Sequence, residues 1–240
     1  MQKILNYYYE LLDRLNRWFW NLSSRRSKVN GLFLMYHHIS DSIVSAIPDC
    51  HHTIDEFLDS LRQLIDKGYT FVSIQQAMEI IENRNKEKFA VVTFDDVPRS
   101  AYENAVPILN SMNIPYVFFI TTGFLNTAGF LSDSELKKLD MSPLCTIGSH
   151  TVTHPQLRLS KNSLWELSES KCYLEKLLGH SVDYFAYPYG RHSSVSQKVM
   201  REARDAGYKC ALGTIFAVAN DNSIKNVFYL PRVVVKSEVL

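Results

Sequence analysis

Short apolar runs alternate with amphipathic stretches along the chain from residue 31 onwards. The runs have the length and the β-branched or aromatic content of buried strands. The stretches between them repeat apolar residues at the spacing of a helix. We predict strands at Leu32–Tyr36, Phe71–Ile74, Phe89–Phe94, Tyr116–Ile120, Cys145–Ser149, Tyr184–Tyr187, Lys209–Leu212 and Tyr229–Val234.

Helices are predicted in the intervals between these strands. Thr53 can cap the first helix, which ends near Gly68 because glycine readily adopts the left-handed conformation beyond a helix end. Alternation of strand and helix is typical of an α/β fold with a mainly parallel sheet. About seven or eight such units suit a closed barrel with its active site at the carboxyl ends of the strands. The other predicted helices are Ile74–Asn83, Ser100–Met112, Ser132–Leu139, Ser163–Leu178 and Ser194–Ala206.

The composition favours a single globular domain: the chain has 240 residues, 46% of them hydrophobic, and a net charge of +1. That charge provides no overall field for binding nucleic acid. The four cysteines lack a C-x-x-C spacing, so we predict free thiols in a reducing compartment. Neither a secretory signal nor a membrane-spanning segment is predicted, and the expected location is cytoplasmic or peripheral to the membrane.

Residues 1–30 are predicted to form an extension of the domain at residues 31–240. They combine an amphipathic helix over residues 3–20 with a polar, basic linker, and six Lys or Arg against two acidic residues give them a charge of +4. The helix can pack on the domain, or it can lie in a membrane interface with Trp18 and Trp20 among the headgroups. Both alternatives stay open, and the second would give residues 1–20 a peripheral membrane contact. The apolar face comprises Ile4, Tyr8, Leu11, Leu12, Leu15, Trp18 and Phe19.

Two adjacent carboxylates, Asp95 and Asp96, end the apolar run that begins at Phe89. Neighbouring residues of a strand point to opposite sides, so these two side chains are expected to have different functions. One could bind a metal while the other accepts a proton from water. The alternative is a solvated turn, in which Asp is common.

Two further polar clusters follow predicted strands. His150 and His154 are four residues apart, a spacing that lets both imidazoles reach one metal ion across a helical turn. Pro188 and Gly190 favour a rigid turn, which would present the backbone N–H of Tyr189 outward as an oxyanion donor.

Two histidines and one carboxylate make a three-ligand site with open positions, which is typical of a catalytic metal centre rather than a structural one. Asp95 would remain beside the metal as a base. This set of groups predicts metal-assisted hydrolysis of an acyl group. Zinc is the expected ion, with cobalt and nickel as alternatives.

The three clusters resemble the motifs of the polysaccharide deacetylases with a NodB homology domain, carbohydrate esterase family 4. The matching segments are TFDD at Thr93–Asp96, SHTVTH at Ser149–His154 and YPYG at Tyr187–Gly190, and the resemblance runs from about residue 31 to residue 235. It implies an irregular (β/α)7 barrel that hydrolyses N-acetyl groups of a glycan. By resemblance, Asp95 is the general base that activates water, and the Tyr189 N–H holds the oxyanion together with the metal. The implied metal ligands are Asp96, His150 and His154.

The chain also departs from the pattern of this family. Val97 stands where the first motif usually continues with glycine, and Ala186 stands where the family usually has the arginine that orients the base. Arg232, at the end of the last predicted strand, is the candidate to replace that arginine. The late Leu-x-His motif that supplies the general acid is not evident.

His37 is the candidate for that general acid. Tyr36 and His37 follow the first predicted strand and resemble the Tyr-His pair of the permuted biofilm poly-N-acetylglucosamine deacetylases. An imidazole suits donation of a proton to a leaving amine near neutral pH. The alternatives are that His37 only packs in the barrel, or that His38 is the donor.

Two other functions stay open beside N-acetyl hydrolysis. The same residues would serve an O-acetyl esterase. The absence of the usual arginine and of the late histidine would suit a carbohydrate-binding pseudoenzyme. Several remaining polar and aromatic residues are expected to have no catalytic role. His51 and His52 are expected at the surface or in the cleft, and Tyr102, Phe124 and Trp165 in the core.

Overall fold

The computed structural model describes residues 8–12, 14–15, 27–42 and 50–235. Its central strands bury nearly all of their side chains, because the barrel interior covers one face and helices cover the other. This explains why the sequence shows continuous apolar runs rather than alternation. The strands are β1 (Asn30–Tyr36), β2 (His38–Ile39), β3 (His51–His52), β4 (Thr70–Phe71), β5 (Lys88–Asp95), β6 (Tyr116–Ile120), β7 (Cys145–Ser149), β8 (Tyr184–Ala186), β9 (Cys210–Leu212) and β10 (Val233–Val234).

The main sheet is parallel and curls into a barrel. Among the described residues, seven of its strands follow one another in the order β10–β1–β5–β6–β7–β8–β9, and β4 pairs with the first part of β5. The remaining two strands, β2 and β3, form a small parallel pair beyond the end of β1. This curled parallel sheet confirms the predicted α/β barrel.

The segment that leads into β10 completes the ring. Leu34 of β1 is in register with Val233, while Leu212 of β9 forms a parallel bridge with Leu230. The Leu230 N–H donates to the carbonyl of Ala211 at 2.9 Å. Residues 230–234 therefore lie between β9 and β1.

The helices begin where the sequence places capping residues. Thr53, Ser73 and Ser132 each accept a hydrogen bond from the backbone N–H three residues later. The Glu or Gln side chain at that later position accepts the backbone N–H of the capping residue. The helix predicted to begin at Ser100 begins one residue earlier, and the helix predicted to begin at Ser194 begins three residues later. The helices are α1 (Ile54–Asp66), α2 (Ile74–Asn83), α3 (Arg99–Ser111), α4 (Asp133–Asp140), α5 (Ser163–Leu178) and α6 (Gln197–Asp205).

Two of the predicted strands miss an observed strand end by three or four residues, and four others by one or two. Ile74 belongs to α2 because Ser73 caps that helix, so the preceding strand ends at Phe71. Most of the predicted strand Tyr229–Val234 lies outside β10, and residues Ser223–Tyr229 form a 3₁₀ helix instead. Hydrophobic runs of this length do not by themselves distinguish a strand from a helical turn.

The N-terminal extension is described only in part. Residues 8–12 and 14–15 are helical, and the guanidinium of Arg158 lies 4.9 Å from the centre of the Tyr9 ring. The rest of the predicted helix and most of the basic linker fall outside the described residues. Within the described ranges, no helix has both the length and the apolar character needed to cross a bilayer.

The capping box of α1 gives a direct test of the fold. Thr53→Ala should lower the free energy of unfolding by about 1 kcal/mol, because the N–H of Glu56 loses its acceptor. Urea denaturation measures the change. Thr53→Ser keeps the hydroxyl and should stay close to the unchanged protein; equal losses in both variants would contradict a capping role.

Candidate active site and metal centre

Polar side chains from neighbouring strand ends meet at the carboxyl edge of the barrel. They surround an open pocket of about 450 Å³. Such an edge is where parallel α/β barrels place their functional groups. The pocket is lined by Met35, His37, His38, Cys50, Asp95, Asp96, His150, His154, Gln156, Tyr189, Arg191, Ser193, Ser194, Thr214, Phe216 and Val234.

A buried ion pair forms the floor of this pocket. Both terminal nitrogens of Arg232 bind Asp95, one to Oδ1 at 2.6 Å and the other to Oδ2 at 2.7 Å. Asp95 is 2% exposed and Arg232 is fully buried. Arg232 also donates to Thr93 Oγ1 and to the carbonyl of Gly213, so every part of its guanidinium is held. The two-point contact fixes the plane of the Asp95 carboxylate.

The electrostatics of this pair keep Asp95 ionised. Burial by itself would raise the pKa of Asp95, but the charge of Arg232 opposes it, followed by those of His150 and His37 and by the hydrogen bonds from Arg232. The net effect holds the pKa of this carboxyl well below its usual range. Asp95 is therefore a carboxylate at neutral pH.

Asp96 leaves the strand instead of continuing it. Asp96 and Val97 both have left-handed backbone, with φ of 66° and 62°. Asp96 therefore does not follow the alternation of strand side chains, and both carboxylates approach His150 Nε2, Asp95 Oδ2 at 3.7 Å and Asp96 Oδ1 at 3.9 Å. The family motif usually has glycine at the position of Val97, because this left-handed backbone is strained for a β-branched residue. Val97 nevertheless occupies the position with its side chain fully buried in the core.

Three side chains are arranged to share a metal ion. Asp96 Oδ1 lies 3.9 Å from His150 Nε2 and 3.6 Å from His154 Nε2, and the ligand atoms of all three lie within 4.8 Å of one another. Nitrogen and carboxylate ligands of zinc bind at about 2.0–2.2 Å, so both of these separations permit a common ion. The donor set and its geometry fit a divalent metal.

Second contacts orient the metal-facing atoms. His150 Nδ1 lies 2.7 Å from the carbonyl of Ala186, which accepts the N–H of that nitrogen and leaves Nε2 toward the carboxylates. Burial lowers the pKa of His150 to about 4, so the ring is neutral at pH 7. Thr121 Oγ1 donates to Asp96 Oδ1 at 3.0 Å. Ala186 thus contributes to the site through its backbone carbonyl, and its small side chain is buried.

The turn after β8 brings Tyr189 to the mouth of the pocket. Pro188 is buried, whereas the Tyr189 side chain is 54% exposed and its ring centre lies 4.9 Å from that of His154. Tyr189 and Gly190 have φ of 61°. A Cβ on Gly190 would lie 2.7 Å from the Thr214 nitrogen, so the turn requires glycine there.

His37 and His38 also line this pocket. Burial lowers the pKa of His37, while the charges of Asp95 and Asp96 partly oppose that shift. His37 Nδ1 is buried and has no hydrogen-bond partner among the described residues. His38 Nδ1 is 3.1 Å from Ser100 Oγ, which ties that ring to the start of α3.

Some expectations about other residues were wrong. His52 is buried in β3, with Nε2 2.5 Å from the carbonyl of Val235, because β2 and β3 pair over the barrel end. Trp165 is half exposed on α5 rather than in the core. Phe124 is half-buried, but its ring stacks beside His154 at 6.1 Å, next to the site.

Sequence reasoning missed two residues that support the site. Thr121 directly follows β6, and this position at the carboxyl edge was the available signal. Glu166 lies in α5, where its carboxylate accepts the backbone N–H groups of Val152 and Thr153. A charged residue on a helix gives no sequence signal of a contact with a distant loop.

Comparison with known proteins identifies relatives of this chain. The family model described as "Polysaccharide deacetylase" matches residues 82–230. A poly-beta-1,6-N-acetyl-D-glucosamine N-deacetylase of Staphylococcus aureus is 30% identical in an alignment of 204 residues that covers 76% of this chain and 67% of the relative.

Solved structures agree with the sequence comparison. The deacetylase PplD of Streptococcus pyogenes, in complex with acetate, superposes with a TM-score of 0.76 at 26% identity, over 85% of this chain and 92% of that one. A polysaccharide deacetylase from Bacillus cereus gives 0.73 at 29% identity, over 85% of this chain and 64% of that one. This chain thus spans somewhat less than two thirds of the length of the Bacillus protein.

The family match covers β5 to β9, which carry both carboxylates, both histidines and the Tyr189 turn. The relatives share the barrel that brings these groups together. The chain belongs to the polysaccharide deacetylase family.

Proposed function

We propose that this protein is a metal-dependent hydrolase that removes N-acetyl groups from a glycan of the poly-β-1,6-N-acetylglucosamine type. The observation that carries the proposal is the buried Asp95–Arg232 pair beside the Asp96, His150 and His154 cluster. A base and a metal site in contact are the two parts that amide hydrolysis requires. The name of the Staphylococcus aureus relative and the acetate in the Streptococcus pyogenes structure support the substrate class and the acyl product.

Asp96, His150 and His154 would hold the metal, for which zinc is the first candidate and cobalt or nickel the alternatives. When bound, the ion would act as a Lewis acid that polarises the acetyl carbonyl and makes water a better nucleophile. His150 is suited to this task because its low pKa keeps it neutral and able to bind a cation.

Asp95 would accept the proton of the attacking water. Its carboxylate is ionised, and the two hydrogen bonds from Arg232 hold this carboxylate in a single orientation. Arg232 thereby fulfils the function that the family pattern assigns to the residue at Ala186. This arrangement weighs against the pseudoenzyme alternative.

The breakdown of the tetrahedral intermediate needs a proton on the departing nitrogen. His37 would donate it, because its ring shares the pocket with the base and the metal ligands. Burial lowers the pKa of His37, which makes its protonated form a stronger acid toward an amine. The Tyr189 N–H, fixed in the turn after Pro188, would stabilise the oxyanion from the other side.

The N-terminal extension would contact a membrane surface. Tyr8, Leu11 and Leu15 lie on one side of the helical segment and are 53%, 44% and 45% exposed, while Tyr9 contacts Arg158. These three side chains therefore face away from the barrel. With the surplus of basic residues in 1–30, this surface fits the headgroup region of anionic lipids.

Acetate release from N-acetylglucosamine oligomers tests the proposed reaction. Asp95→Asn should reduce kcat by about 100- to 10,000-fold, because amide oxygen is a poor proton acceptor. Chelation of the metal should abolish the activity, and zinc or cobalt should restore it. Asp205→Asn, an exposed change of the same kind, should have no effect. Release from O-acetylated xylan alone would identify an esterase instead.

The two proposed proton-transfer residues can be separated by the choice of leaving group. His37→Gln should lose kcat on N-acetylated oligomers but retain most of it on 4-nitrophenyl acetate, since nitrophenolate leaves without a proton. Asp95→Asn should lose activity on both substrates. Equal losses of His37→Gln on the two substrates would rule out the acid role, and the same pattern for His38→Gln would transfer it to His38.

The pH profile tests the function of Arg232. Arg232→Gln removes the charge that depresses the pKa of Asp95, so the carboxylate should protonate at higher pH than in the unchanged protein. The acid limb of kcat/KM should therefore move upward in pH. Arg201→Gln on the surface of α6 is the control. A lower kcat with an unmoved acid limb would mean that Arg232 does not tune the base.

Vesicle flotation tests the membrane contact. The protein should float with phosphatidylserine-containing vesicles at low salt, and less with phosphatidylcholine alone, because basic residues add to apolar burial. Replacing Tyr8, Leu11 and Leu15 by Ser should reduce flotation, whereas Ile65→Ser, an exposed apolar position on α1, should not. A dimer that the triple replacement dissociates would assign the surface to a second copy.

A further inference from the structure

The buried carboxylate of Glu166, outside the pocket, accepts hydrogen bonds from the loop between His150 and His154. Glu166 is 5% exposed, and its Oε2 accepts the N–H groups of Val152 and Thr153, both at 2.9 Å. Its Oε1 accepts the Thr153 hydroxyl at 2.5 Å. One side chain thus binds three donors within two consecutive residues of the loop.

This loop has a strained backbone that needs external support. Thr151 and His154 have φ of 75° and 58°, in the left-handed region that non-glycine residues seldom adopt. Such conformations cost about 1–3 kcal/mol each and persist where the surroundings impose them. His154 depends on this conformation directly, since its own backbone sets the direction of the imidazole.

The loop is held from two sides. The turn at Thr122–Phe124 donates backbone N–H groups to the carbonyls of Thr151 and Val152, at 3.0 and 2.9 Å. Glu166 holds the N–H groups on the other side. Carbonyls and N–H groups of the same short loop are therefore fixed by different elements, which leaves it one conformation.

The two histidines depend on this support to different degrees. His150 directly follows β7, and its ring is anchored to the Ala186 carbonyl. His154 lies in the loop itself: its N–H donates to Thr151 Oγ1 at 3.0 Å, and its ring packs beside those of Phe124 and Tyr189. Loss of the Glu166 contacts would therefore loosen the backbone at His154 more than that at His150.

We propose that Glu166 is a positioning residue that sets the affinity of the metal site by fixing His154. This inference rests on the proposed function, because it takes Asp96, His150 and His154 as the metal ligands. Glu166 is absent from the pocket lining, so it acts through the loop and not on the substrate. Its place in the first turn of α5 also favours a negative charge there.

Cobalt titration of the metal-free protein measures the effect without any turnover. Glu166→Gln should weaken the Kd for Co²⁺ by about 10- to 100-fold, the usual cost of losing an outer partner of a ligand. The visible spectrum should change as one imidazole is lost. Glu169→Gln, the same chemical change at an exposed position of α5, should leave both readouts unaltered.

A lower melting temperature of Glu166→Gln with an unchanged Kd would overturn the proposal and assign a structural role only. If that variant does not fold, Thr153→Val serves, because it removes one bond to the carboxylate and should weaken the Kd in the same direction. An unaltered Kd in a folded Thr153→Val variant would then count against the proposal. Cobalt binding without acetate release by the unchanged protein would refute the proposed function alone, whereas no cobalt binding would refute both.

Discussion

The buried ion pair between Asp95 and Arg232 is the interaction on which the geometry of the site depends. Removing two charges from water costs several kcal/mol per ion, and the attraction between them offsets this only when the geometry is good and the remaining donors are satisfied. The pair has two short bonds, and contacts with Thr93 and Gly213 satisfy two further donors of Arg232. A smaller or shifted cation would leave a carboxylate buried without its partner.

The same pair links the chemistry to the closure of the barrel. Arg232 lies in the segment between β9 and β1, and Asp95 ends β5 on the other side of β1. The ion pair therefore reaches past β1, and the guanidinium lies 5.7 Å from the centre of the Phe119 ring. A polar contact that spans the interior ties the position of the carboxylate to strands that are not its neighbours.

The side of the pocket that carries Asp96, His150 and His154 is built from short loops with unusual backbone. Asp96, Val97, Thr151, His154 and Tyr189 all have positive φ. A regular strand or helix could not direct ligands from β5 and β7 toward one point, since its side chains follow a fixed period. The rigid barrel supplies the support that these conformations need, and Glu166 and Thr121 add to it locally.

The sequence predicted those parts of the molecule that follow local rules. Tyr116–Ile120, Cys145–Ser149 and Ser163–Leu178 have the predicted bounds, because apolar period and capping residues act within a few positions. Arg232 was named as the residue that orients Asp95 because the usual arginine is replaced by Ala186 and Arg232 was expected at the end of the last strand; the structure places it directly before β10 instead. The contacts of Glu166 and the pairing of His38 with His51 join distant segments, and no local pattern specifies them.

The distance along the chain between Asp95 and Arg232 has a consequence for the order in which the site forms. The two residues are 137 positions apart, with His150 and His154 between them. During synthesis Asp95, Asp96 and both histidines therefore leave the ribosome before Arg232 does. A nascent barrel without Arg232 would hold the Asp95 carboxylate without its partner, so the assembly of this site coincides with the addition of the segment that leads into β10.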